Sequence, residues 1–106
     1  MERADLAALL KSTGLPVSYR NWGKAKAPDL PYLLYFFIGG NDLAADNMNY
    51  ATVQRWCVEL YSKSKDDESE AAVERLLKMN EIPYSKNEVG PTDDGPCMTA
   101  YYFTAY

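Results

Sequence analysis

The chain has 106 residues, which is enough for one domain with one modest core and leaves no room for a separate active-site domain. Its 47% hydrophobic and 25% charged residues exclude wholesale disorder. A net charge of -4 works against gripping a phosphate backbone, and the absence of histidine removes the commonest general base and metal ligand.

From Glu2 to Thr13, Leu6, Leu9 and Leu10 recur at helical spacing, with Glu2 and Asp5 in the first turn and Lys11 in the last. The spacing predicts a short amphipathic helix, with Gly14 as its stop and Pro16 just beyond. Residues 17–30 read as irregular. Arg20, Lys24 and Lys26 gather there around Trp22, and solvated decoration is the preferred account of these three cations. Residues 31–38, PYLLYFFI, form a continuous apolar run between Pro31 and Gly39-Gly40, as expected of a central strand covered on both faces. The following GGNDLAADNMNY, Gly39 to Tyr50, reads as a long loop rich in Gly, Asn and Asp.

Across residues 52–61 alternation sends Trp56, Val58 and Leu60 to one face. Val53, Arg55, Cys57, Glu59 and Tyr61 go to the other, so one face is core and the other is mixed. Asp66 or Asp67 can cap the next helix, and Asp67 with Glu70 has the spacing of a capping box. Val73, Leu76 and Leu77 form its buried stripe with Ala72 beside it, while Glu70, Glu74, Arg75 and Lys78 are expected to face water. After Ile82-Pro83, the mostly polar alternation of YSKNEV predicts an edge strand, and GPTDDGP, residues 90–96, its turn. CMTAYYFTAY then reads as a last strand with both faces substantially apolar.

The result is an α+β domain spanning 1–106: an N-terminal helix, then β-β-α-β-β, with a mixed or antiparallel four-stranded sheet and helices packed on it. Cys57 and Cys97 are expected as free, buried thiols, with no metal and no cofactor. The N-terminus lacks the pattern of a signal peptide, and no apolar run approaches the roughly 20 residues a membrane span needs, so a soluble protein is expected.

For chemistry, Asp42 and Asp46 are the one carboxylate pair in an accessible loop. Their spacing beside Asn41 and Asn47 lacks the central Gly and closing Glu of an EF-hand, and a turn-forming Asp/Asn loop is the simpler reading. Asp66-Asp67-Glu68 is explained by helix N-terminal preference. The remaining excess is aromatic: nine Tyr, two Trp and three Phe, more than a core of this size can bury, which marks exposed aromatic surface as a candidate for subunit contacts. No enzyme is expected.

Several strings are familiar in this order: STGLPVSYRNW, APDLPYLLYFF, AADNMNY, VELYSKSKDDESEAAVERLL and IPYSKNEV, followed by the aromatic C-terminal strand. Together, over Leu9 to Phe103, the chain resembles the small tail-completion or tail-terminator proteins of long-tailed bacteriophages and prophages. The resemblance implies a protomer that assembles as a ring, often a hexamer, which caps the tail tube and receives the head. It implies a place in the virion, at the tail end or head–tail junction, after assembly in the host cytoplasm. Partners would be other copies of the chain, tail-tube protein and head-completion protein, with no membrane and no sequence-specific nucleic acid. Because the chain is short for a terminator, head completion or a minor connector is the neighbouring role.

By position, contacts fall on the Gly39–Tyr50 loop (Asp42, Asp46, Asn47, Tyr50), on the edge strand (Tyr84, Lys86, Glu88) and on its turn (Asp93, Asp94). Arg55 and Glu59 on the mixed face complete the candidate contacts. The alternative is a small acidic binding module that inhibits or adapts a host protein through its acidic helix and aromatic strands. A third reading, an enzyme using Asp42, Asp46 or Cys57, requires a concave pocket that holds those groups.

Overall fold

Described in the computed structural model are residues 2–24, 26–45, 48–90 and 96–105, with the backbone alone followed through 40–45 and 48–53. Within them the elements are α1 (Arg3–Lys11), β1 (Val17–Tyr19), β2 (Tyr32–Ala45), β3 (Met48–Ser62), α2 (Asp67–Met79), β4 (Tyr84–Val89) and β5 (Cys97–Ala105). The strands form a five-stranded sheet of order β1-β2-β3-β5-β4, in which β1 is parallel to β2 and the other pairs are antiparallel. The domain is therefore α+β with a mixed sheet, carrying one strand more than the four expected.

Register decides which side chains meet. Leu33 stands opposite Leu60, Tyr35 opposite Val58 and Phe37 opposite Trp56. On the other side of β3, Trp56 stands opposite Phe103 and Val58 opposite Tyr101. Because strand side chains alternate, all of these share one face, which we call the inner face. Onto it α1 sets Leu6 and Leu10, and α2 sets Val73 and Leu77, all four essentially without solvent exposure. Each such side chain stabilises the fold by about 1.5–3 kcal/mol through burial. The layer is thus two helices against one face of one sheet.

Local chemistry ends the helices where it should. The Glu2 backbone N–H donates to the Asp5 carboxylate at 3.1 Å, and Gly14, at φ +85°, takes the left-handed conformation that closes the α1 end. At α2 the cap is Asp66, which accepts from the Ser69 N–H at 3.0 Å and from its hydroxyl at 2.8 Å. The Asp67–Glu70 box is not formed, because Glu70 turns to two lysines instead.

Three expectations are corrected. Residues 17–30 are not irregular throughout: Val17–Tyr19 forms β1, held where the Leu33 N–H donates to Pro16 C=O at 2.8 Å and the Arg20 N–H donates to Tyr35 C=O at 3.0 Å. Three residues are too few to show alternation. The Gly39–Tyr50 segment is not a loop: β2 continues to Ala45, and β3 is already running at Met48. The strand-poor Gly, Asn and Asp of this stretch are tolerated because an antiparallel partner supplies their backbone hydrogen bonds, and register shifts at Phe37/Gly39 and Leu43/Ala44 absorb the misfit. Finally, β2 is an interior strand, but the centre of the sheet belongs to β3.

Leu77→Ala should remove about 2–4 kcal/mol of stability in urea unfolding followed by circular dichroism, with the m-value unchanged. A loss below about 1 kcal/mol would show that α2 is not packed against the sheet as described.

Candidate functional site

The opposite face of the sheet has no helix on it among the described residues. It carries Tyr32, Leu34, Phe36 and Ile38 from β2, then Arg55, Cys57, Glu59 and Tyr61 from β3. Met98, Ala100, Tyr102 and Thr104 of β5 continue it. Leu34, Cys57 and Ala100 are buried, yet Ile38 and Tyr102 are each 42% exposed and Val89 of β4 is 44% exposed. At one end Trp22 stands edge-on to Tyr32 at 5.3 Å between ring centroids, and Tyr32 meets Tyr61 at 5.3 Å. Toward the other end lies a depression of about 410 Å³, lined by Ile38, Arg55, Ser85, Tyr102 and Thr104 among others.

The polar chemistry of this face is sparse. The Tyr61 hydroxyl donates to Glu59 Oε1 at 2.6 Å, and burial together with that carboxylate holds the phenol above its ordinary range. Burial, reinforced by the Glu59 charge, pushes the Cys57 thiol up to about 11, so it is a poor nucleophile at neutral pH. Cys97 lies on the inner face, away from Cys57, and both thiols are free.

The second feature is an arm. The last pairing of β5 with β3 is Ala105 opposite Gln54, whereas β2 and β3 go on pairing from Asn41 opposite Val53 to Ala45 opposite Met48. Beyond the sheet they form a two-stranded ribbon with no third strand among the described residues, and the longest dimension of the molecule is 51 Å against 30 and 26 Å. Five residues of ribbon reach roughly 16 Å.

The third is an ion cluster joining α2 to β4 and β5 on the inner face. Glu70, its side chain 4% exposed, contacts Lys65 at 2.9 Å and Lys86 at 2.7 Å. Lys65 also pairs with Glu88. Glu74 accepts from Lys86 at 3.0 Å, from the Tyr84 hydroxyl at 3.0 Å and from the Tyr101 hydroxyl at 3.0 Å. The expectation that Glu70 and Glu74 face water is therefore corrected. Both belong to the series Glu70, Val73, Glu74, Leu77, which is itself an i, i+3, i+4, i+7 stripe and could have shown it. Glu74 also pairs with Lys86 across to β4.

The candidate contact residues fall into four groups. Asp42 and Tyr50 have backbones in the arm. Asp46, Asn47, Asp93 and Asp94 lie outside the described residues. Arg55 and Glu59 are on the open face, as the alternation predicted. Tyr84, Lys86 and Glu88 are on the β4 edge strand as expected, but their side chains face α2 and are engaged within the fold. Asp42 and Cys57 are not brought together: Cys57 pairs with Phe36, six positions and roughly 20 Å of strand from Asp42. Residues missed from the sequence as surface are Phe36, Ile38 and Tyr102, because a continuous apolar run does not reveal that only one face carries helices among the described residues.

Among the described residues no helix is long and apolar enough to cross a membrane, and no group of three or more His, Cys, Asp or Glu could hold a metal ion. No protein-family model matches the chain, and no curated protein matches its sequence.

The ion cluster sets a pH dependence. Burial alone would raise the Glu70 and Glu74 carboxyls, but hydrogen bonds and charge from Lys86, with Lys65 at Glu70 and two tyrosine hydroxyls at Glu74, leave both below their ordinary value of 4.5. A carboxylate held lower in the folded chain contributes its stability fully above its unfolded value and loses it as pH falls through the folded value. Urea unfolding should therefore show stability falling between about pH 5 and pH 3. Glu70→Gln should cost about 1–3 kcal/mol at pH 7 and flatten that fall. An equally steep fall in the variant would remove Glu70 from the account.

Proposed function

We propose that this chain is a structural subunit at the tail end or head–tail junction of a long-tailed phage or prophage, completing or terminating the tail tube by ring assembly and docking. The observation that carries the reading is the pairing, among the described residues, of a sheet face left without a covering layer and a ribbon that leaves the domain without a third strand. A monomer of this size gains nothing from exposing aromatic and aliphatic groups such as Ile38 and Tyr102, whereas a subunit that is buried on assembly does. The sequence resemblance supports the same reading and supplies its setting: copies of this chain, tail-tube protein and head-completion protein as partners, in the virion and after assembly in the host cytoplasm.

Under this reading the protein acts by shape and contact, not by catalysis. The lack of histidine and the raised Cys57 thiol are in keeping with that. The net charge of -4 suits a ring lumen that lets DNA pass without holding it.

Purified protein, alone at high concentration and mixed with the tail-tube protein, should form rings or ring-capped tubes in light scattering and negative-stain images. A chain that stays monomeric and ignores the tube would end this reading. Specific capture of a host protein by such a monomer would then favour the alternative of a small acidic binding module.

A further inference from the structure

Among the described residues the arm has no third strand beside it and the outer face has no helix on it. The arm is a continuation of β2 and β3 beyond Gln54, the last β3 residue paired with β5, so it runs on past the end of the sheet. We infer that the arm of one copy lies across the open face of the next, an arm-to-face contact repeated from chain to chain. This rests on the reading of the chain as an assembly subunit and names its interface.

Size and charge both fit. The face is four strands wide, β2 to β4, or roughly 15 Å, and an arm of roughly 16 Å spans it in the orthogonal packing of sheets. In sequence, residues 40–54 hold two acids, Asp42 and Asp46, and no Lys or Arg. The exposed Lys24 and Lys26 follow Trp22 in the connection from β1 to β2. That connection is fixed to the face: Trp22 packs on Tyr32, and Arg20 donates to Phe37 C=O at 2.9 Å while lying over the Phe36 ring. Lys24 and Lys26 are in no ion pair among the described residues. Two copies meeting face to face would instead bring two like sets of these lysines toward one interface and leave both arms unpaired. The arm-to-face contact is heterologous, since donor and acceptor are different surfaces, and contacts of that kind close into rings or run on as filaments.

The test is a charge swap read by analytical ultracentrifugation. At about 50 mM salt, Lys24→Glu with Lys26→Glu should weaken self-association about tenfold, and adding Asp42→Lys to that chain should restore it to within about threefold. A second variant, with residues 41–53 replaced by Asn-Gly, joins Gly40 to Gln54 by a two-residue hairpin turn. It should keep the wild-type circular dichroism and remain monomeric. If the wild-type chain assembles and the shortened chain assembles equally well, or if the swap restores nothing, the arm-to-face contact is wrong while the assembly reading stands. If the wild-type chain assembles neither alone nor on tail-tube protein, both are wrong.

Discussion

The constraint on which the rest of this structure depends is that two helices cover one face of a five-stranded sheet and, among the described residues, no helix covers the other. A sheet strand buried on one side only is expected to alternate apolar with polar. Here β2 does not alternate: Leu33, Tyr35 and Phe37 point inward, and Tyr32, Leu34, Phe36 and Ile38 point outward, all of them apolar or aromatic. The same is true of β5, where Tyr101 and Phe103 are inward and Met98, Ala100 and Tyr102 outward. The sequence is written for a sheet with two covered faces, and among the described residues the chain covers one.

The inner face explains why the outer one is available. Hydrophobic contact from Val73 and Leu77 and the Glu70–Lys86–Glu74 cluster both anchor α2 to the β4 and β5 side of the inner face. The charged side chains that a solvated edge strand would display are drawn inward, Lys86 to Glu70 of α2 and Glu88 to Lys65 just before it. What β4 keeps on the outward side is short or apolar, Ser85, Asn87 and Val89. A polar strand in sequence thus becomes a weakly charged border in the fold, and the two charges in the middle of the outer face, Arg55 and Glu59, lie on one strand four residues apart.

Most of the architecture was legible because its signals are local. The i, i+3, i+4 spacing in α1, the Asp66 cap, the alternation through Trp56, Val58 and Leu60, and the polar edge strand all survive into the structure. Three features were not legible, each for a physical reason. β1 is three residues long and owes its place to backbone pairing with β2. The arm is built from residues with weak strand preference and exists because each strand has the other as partner. Glu70 and Glu74 read as solvated because they are charged, although their spacing placed them on the buried stripe with Val73 and Leu77. Of the candidate contacts, Arg55 and Glu59 lie on the outer face as alternation placed them, whereas Tyr84 and Lys86 bond to α2 and Glu88 to Lys65 just before it.

The central claim is that the open face and the arm are two halves of one contact between copies. Amide hydrogen exchange, measured on the same protein in dilute and in concentrated solution, tests it most directly. In dilute solution the outward amides of residues 41–53 should exchange rapidly while those of β3 and β5 within the sheet are protected. On concentration, protection should rise together in the arm and in peptides covering Trp22 to Phe36 and Met98 to Thr104. Exchange that is unchanged by concentration, or protection that appears on the face while the arm stays open, would contradict the account.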